Sequence, residues 1–219
     1  MMEPLAAAAL AFVGTHIGLA VPSVRRPLVR ALGDRGFTPA YSLIAIATLV
    51  WLVRAYRDAP VIPLWNPPSW AWYVALVLML AAAILFIGSM NPGNRALIGA
   101  RGETVSGVLR ITRHPMMWAF AIWAGVHAWL GGDAATLILC AAIATLALGG
   151  AAAQDVKKDA LAGAEWADYR RVTSFVPFGR GLAGPGWRAT LLGLALLLVA
   201  TWAHPHLGAP PVPPWLWLV

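Results

Sequence analysis

Charge is what this sequence has least of. Only 11% of its 219 residues are charged, against about a quarter in an ordinary soluble domain, which excludes a molecule whose surface is mostly in water. Acidic residues are the scarcer sign, nine in all. None falls in the middle of an apolar run, which argues against a pump or carrier driven through intramembrane carboxylates. The single cysteine, Cys140, excludes an internal disulfide and says nothing of redox compartment. Cys/His clusters, a phosphate-cradling glycine loop and a GxSxG elbow are also missing, which removes zinc-cluster, P-loop and hydrolase chemistries.

Apolar length is present in abundance. The runs are Leu5 to Val21, Thr38 to Val53, Trp70 to Met90, Pro115 to Gly131, Ala134 to Ala153 and Trp187 to Ala203. At a rise of about 1.5 Å per residue, roughly 17–21 residues cross the hydrocarbon core, and the second run reaches that length with its flanks. Basic residues alternate between the gaps. Arg25, Arg26, Arg30 and Arg35 fill the first, Arg95, Arg101, Arg110 and Arg113 the third, and Lys157, Lys158, Arg170, Arg171, Arg180 and Arg188 the fifth. Only Arg54 and Arg57 occupy the second, and the fourth has none. Because Lys and Arg concentrate on the cytoplasmic side, the expectation is an all-α polytopic membrane bundle. It has six transmembrane helices, both termini outside, and one domain over residues 1–219.

The net charge of +7 would suggest nucleic acid in a soluble chain. Here it reads as the topology signal plus attraction to anionic membrane lipid, with no nucleic-acid partner. The first run has neither a basic leader nor a small-residue cleavage site, so it is read as a retained helix. Asp58 to Ser69 is too rich in proline for helix and reads as an outer loop. Most of the twelve tryptophans lie near run ends, as interfacial anchors do. The tail from Leu207 is too short to cross and is expected on the outer interface or over the bundle mouth. Gln154 to Arg188 is the longest polar stretch. In it Glu165, Trp166, Tyr169, Val172 and Val176 recur at steps of three and four, which predicts a short amphipathic helix on the inner surface. Its neighbours Asp155, Lys157, Lys158 and Asp159 read as a solvated face.

The five histidines are the chemical inventory: His16, His114, His127, His204 and His206. An imidazole inside a spanning helix is expensive and marks a site by default, the alternative being a hydrogen bond to a neighbouring helix. His114 precedes Pro115, and proline suits the first helical position, so His114 is the expected N-cap. The helix dipole there disfavours protonation, and neutral imidazole is what metal ligation needs. With Arg113 and Arg110 beside it, the same end would also accept a carboxylate or phosphate. His127 lies about 20 Å along the same helix, too far to share one metal ion with His114. By depth the natural pairs are His16 with His114 and His127 with His204, while His206 falls beyond the last helix. Asp133 is expected to cap the fifth helix after Gly131-Gly132.

Several segments resemble the NnrU family of bacterial membrane proteins. They include Thr15-His-Ile-Gly-Leu-Ala-Val-Pro-Ser, the stretch from Gly107 through Arg113-His114-Pro115 to His127, Gly131-Gly-Asp, Asn91-Pro92 and His204-Pro205. The resemblance implies a multi-pass protein of the bacterial inner membrane, associated with denitrification and with nitrite and nitric oxide reductases as partners. Through the plant relative zeta-carotene isomerase it also implies haem b and cis–trans isomerisation of a hydrophobic polyene. Carried residue by residue, the iron ligands are His16 and His114, with His127 as the alternative partner and Arg113 and Arg110 beside the cofactor. A fainter resemblance, in Arg113-His114-Pro115 and Glu165-Trp166 with Tyr169, is to isoprenylcysteine carboxyl methyltransferases. It implies an S-adenosylmethionine site at the inner face. Met117, Ala119 and Ala164 depart from that pattern. A non-enzymatic accessory role for the reductases is the third reading.

The charge pattern sets the first test. A reporter fused after Val219 should be active outside the cytoplasm, and cytoplasmic activity would invert the topology.

Overall fold

The structure is a computed structural model that describes residues 1–97, 104–213 and 215, except the side chains of 161 and 162. Among the described residues its regular secondary structure is all helix, apart from one isolated bridge between Pro63 and Asp133. The helices are α1 (Glu3–Ala20), α2 (Pro22–Arg57), α3 (Ala71–Gly88), α4 (Pro115–Gly131), α5 (Ala134–Val172) and α6 (Trp187–His206), with a 3-10 turn at Gly107–Arg110. Five of the six are long and apolar enough to cross a membrane. The other, α4, has 17 residues, the lower end of the spanning range of about 17–25. Leu43, Ile46, Val77 and Val199 are exposed along these helices, as side chains turned to lipid would be.

Two polar gaps prove to be helix. The first is absorbed into α2, which runs for 36 residues and breaks only at Gly33, where φ is 67°. Pro22 opens it with a dihedral already helical. The helix carries Pro27 early in its course without breaking there, so the basic residues ride on a helix instead of lying in a loop. The second is absorbed as far as Val172 into α5, 39 residues long and broken at Gly163, where φ is 49°. Alanine, lysine and glutamine after Ala153 are good helix formers, and the helix therefore carries Asp155. The separate interfacial helix of the sequence reading is the last segment of α5, beyond that glycine. Helix α6 likewise reaches His206 with Pro205 inside its final turn, so His206 belongs to the helix and not to the tail. Arg101 and Trp217, an expected topology charge and an expected anchor, lie outside the described residues.

The described residues group into two compact units: Met1–Pro67 with His127–Gly150, and Pro68–Val126 with Ala151–Val219. In the first, α1 packs along α2 over a core of Leu5, Ala8, Ala9, Phe12 and Leu52, joined by Ala135 and Ala142. The alanines let helices approach closely where water supplies no driving force. The proline-rich loop docks on the α4–α5 turn. Leu64 and Trp65 donate to the Gly132 carbonyl at 2.7 and 3.1 Å, and Trp65 Nε1 donates to Trp129 O at 2.8 Å. Asp133 caps α5 as expected: Thr136 N and Oγ1 donate to its carboxylate at 3.0 and 2.6 Å.

In the second unit α3 packs on α6. Gly193 lies so close to α3 that a methyl group would stand 2.7–2.8 Å from Ile84. Ala82, Leu85, Val108, Ile111 and Ala119 form the core beside them. The segment after α5 is tied to the 3-10 turn, with Arg113 N donating to Ser174 O at 2.8 Å and Phe178 N to Ile111 O at 2.9 Å. The tail folds back on the end of α6, where Trp215 Nε1 donates to Thr201 Oγ1 at 2.9 Å.

The α4–α5 turn depends on one residue. Gly132 has φ 61°, and a Cβ there would run into the Trp65 carbonyl. Gly132→Ala should therefore cost about 1–3 kcal/mol, read as a lower midpoint of thermal unfolding in detergent, while Gly150→Ala, which meets nothing inside a helix, should leave the midpoint unchanged or raise it slightly.

Candidate functional site

At the head of α4 three consecutive polar residues, Thr112, Arg113 and His114, are buried. Their backbone is fixed first. Thr112 Oγ1 donates to Phe175 O at 2.7 Å, Trp118 Nε1 reaches the same carbonyl at 2.8 Å, and His114 N donates to Thr112 Oγ1 at 3.3 Å. Trp118 N closes the first helical bond on His114 O at 3.0 Å, which puts His114 at the N-cap as expected. These bonds leave Arg113 and His114 pointing into the protein, where Asp155 of α5 meets both. Arg113 Nε lies 3.1 and 2.9 Å from the two carboxylate oxygens and a terminal guanidinium nitrogen makes a third bond. His114 Nε2 lies 2.6 Å from Oδ1. The His114 side chain is fully buried, and those of Arg113 and Asp155 are 9% and 13% exposed.

Charge decides the state of the ring. Arg113 and Asp155 already cancel, so a proton on His114 would bring an uncompensated charge into a desolvated place. Burial pushes the His114 pKa below its ordinary value, and the Arg113 charge adds to that. The hydrogen bond and charge of Asp155, and to a lesser extent the neighbouring Gln154 side chain, pull the other way without reversing it. The ring is neutral at pH 7. A carboxylate can only accept, so Nε2 carries the hydrogen and Nδ1 keeps a bare lone pair.

That lone pair belongs to a group of three. Among the described residues His114 Nδ1, Trp166 Nε1 and Tyr169 Oη are buried without a hydrogen-bond partner. The rings adjoin: His114 and Trp166 centroids are 6.5 Å apart, and those of Trp166 and Tyr169 are 5.2 Å apart. Phe175 covers the His114 ring at 5.4 Å. Two cations lie over the aromatics, Arg95 at 5.9 Å from the Tyr169 centroid and Lys158 at 5.8 Å from that of Trp166. Burial pushes the Tyr169 hydroxyl up to about 12, so it is held as a donor.

Sequence reasoning placed Arg113 and His114 correctly at a helix start, and missed Asp155. Ending the fifth run at Ala153 made Asp155 look solvated. The signal was its place one turn beyond an apolar run rich in helix formers. The stripe at the end of α5 is also different from the expected one. Trp166, Tyr169 and Thr173 are buried, whereas Glu165, Val172 and Val176 are exposed. Glu165 therefore stays out of the cluster that holds Arg113, His114 and Tyr169, and only its carbonyl is used, by Arg95 at 3.1 Å. Arg110 ends the 3-10 turn and is exposed.

The other histidines are elsewhere. His16 on α1 is half-buried in the first unit, between Phe12 at 4.5 Å and Tyr41 at 6.0 Å between ring centroids. Its Nδ1 donates to Phe12 O at 2.6 Å. His127 also falls in the first unit, and His114 and His204 in the second. His204 Nδ1 meets Pro210 O at 2.9 Å, and the exposed His206 packs on Trp202. No group of three His, Cys, Asp or Glu among the described residues is close enough to hold a metal ion.

The lowered pKa of His114 sets a pH dependence. Above about 6.5 the ring is neutral both folded and unfolded. Below it the unfolded chain takes up a proton that the folded one refuses, so stability should fall with pH through and below that value. His114→Gln, which keeps a donor to Asp155, should flatten this part of a pH series of unfolding midpoints.

No curated protein and no solved structure matches the chain. The model of one protein family does, the NnrU protein family, over residues 4–211. That span runs from the first turn of α1 to beyond the end of α6 and includes both His16 and His114, and the chain belongs to the NnrU family.

Proposed function

We propose that this NnrU-family chain binds haem b within the membrane, with His16 as iron ligand, and isomerises a hydrophobic polyene. The observation that carries the reading is the tautomer of His16. A backbone carbonyl only accepts, so the 2.6 Å contact to Phe12 O puts the hydrogen on Nδ1. In the neutral ring Nε2 is then free to bind iron, oriented by the partner on its other nitrogen, as ligating imidazoles are. The residue lies in a helix long and apolar enough to span, where an ionisable group is a functional site by default. The rings of Phe12 and Tyr41 beside it suit a flat apolar ligand.

His114 fits an iron porphyrin less well. Its Nε2 is held by Asp155, and the nitrogen it offers is Nδ1, next to the carbon that bears Cβ. A macrocycle centred about 2 Å from that nitrogen would press on the Cβ and the backbone. Arg113 spends its guanidinium on Asp155 and is poorly placed to meet propionates. Bound haem would supply reversible electron exchange with the polyene, which lowers the barrier to rotation about a double bond. The chain's own part is to hold the ring of His16 in one tautomer and to leave α1 open to lipid, where such a substrate dissolves.

Absorption spectroscopy tests this. Protein expressed with ample haem and purified in mild detergent should show a Soret band, lost in His16→Ala and retained in His114→Ala. The reverse pattern would make His114 the ligand. A wild-type protein without haem would overturn the reading and leave the accessory role beside nitrogen-oxide reductases.

A further inference from the structure

We propose that the head of α4 is a second site, independent of haem, which binds a protonated oxyanion of the phosphate-monoester class between His114, Trp166 and Tyr169. A buried polar atom without a partner is costly, and native interiors hold few of them. Here three stand together, on residues from the head of α4 and the end of α5, each nearly or fully buried. A ligand that satisfies all three must give one hydrogen, to His114 Nδ1, and accept two, from the Trp166 indole and the Tyr169 hydroxyl. A singly protonated phosphate has one P–O–H donor and several acceptor oxygens.

The sign of the charge agrees. Arg113 is balanced by Asp155. Arg95 and Lys158 donate to backbone carbonyls only, Glu165 O and Arg95 O at 3.1 and 2.9 Å, and have no carboxylate partner among the described residues. Both lie over the very rings whose N–H and O–H lack acceptors. A cation on a ring face draws electron density from it and makes its polar hydrogen a better donor to an anion. The local field is therefore positive, which disfavours a metal cation and favours an anion. An open depression of about 420 Å³, lined by Arg95, Val105, Asp168, Tyr169, Arg171 and Val172, adjoins Tyr169. Arg171 pairs with Asp168, so Arg95 leaves its walls basic on balance, an approach suited to free phosphate or to the headgroup of a phosphatidic acid.

The experiment is thermal unfolding of the purified full-length protein in neutral detergent. Inorganic phosphate at ten times its dissociation constant should raise the midpoint by about 3–6 °C. Sulfate at equal ionic strength has no proton to give His114 and should raise it less. Tyr169→Phe and Trp166→Phe each remove a buried orphan at nearly constant volume. They should unfold at or above the wild-type temperature without phosphate, and should lose most of the phosphate shift. A shift with short-chain phosphatidic acid alone would assign the lipid as the source, and a shift with both would assign the soluble anion. No shift with either, an equal shift with sulfate, or Phe variants that are destabilised yet keep the full phosphate response would each overturn the site. Because the readout is free of haem, these outcomes are independent of the Soret result.

Discussion

The carboxylate of Asp155 is the constraint on which the second unit depends. It is a half-buried acidic group whose side chain is 13% exposed, and its partners are a guanidinium fork and an imidazole. Taking such charges out of water is expensive, and their attraction compensates only when geometry and hydrogen bonds are complete. They are nearly complete here. Arg113 covers both oxygens, His114 takes one of them again, and the bonds around Thr112 fix the backbone that bears both residues. Removing one partner from such a group costs about 3–5 kcal/mol, because the other charge is left buried. Asp155 thereby joins the head of α4 to α5 and fixes which nitrogen of His114 is bare.

The two histidines of greatest interest present different nitrogens. Both give a hydrogen to an oxygen at 2.6 Å. At His16 the donor is Nδ1 and the acceptor is the carbonyl one turn earlier, so Nε2 keeps the lone pair. At His114 the donor is Nε2 and the acceptor is a carboxylate on another helix, so the nitrogen nearest the backbone keeps it. The acceptor selects the tautomer.

Packing between the helices follows from the solvent. Lipid tails are as apolar as leucine, so burying leucine between helices gains little, and close approach of small residues takes its place. Ala8 and Ala9 on α1 and Gly193 against Ile84 fill that role. Among the described residues, elsewhere than at His114, Trp166 and Tyr169, buried polar groups sit where a partner is ready, as at the Asp133 cap and the Trp65 dock on the α4–α5 turn.

The sequence by itself determined that the chain is an all-α membrane protein, where most helices begin and end, that Asp133 caps α5, and that His114 caps α4. Each of these is local: run length against bilayer thickness, a proline at the first helical position, a carboxylate three residues before a threonine. The family, too, was legible in short motifs. Tertiary structure alone decided that the polar stretches after Val21 and Ala153 are helix, because only there do Gly33 and Gly163 act as kinks instead of ends. It alone joined Asp155 to Arg113 and His114 across some forty residues, a pairing to which no periodicity points. And it alone turned Trp166 and Tyr169 inward while leaving Glu165 and Val172 out, since burial on an amphipathic helix depends on which neighbour arrives.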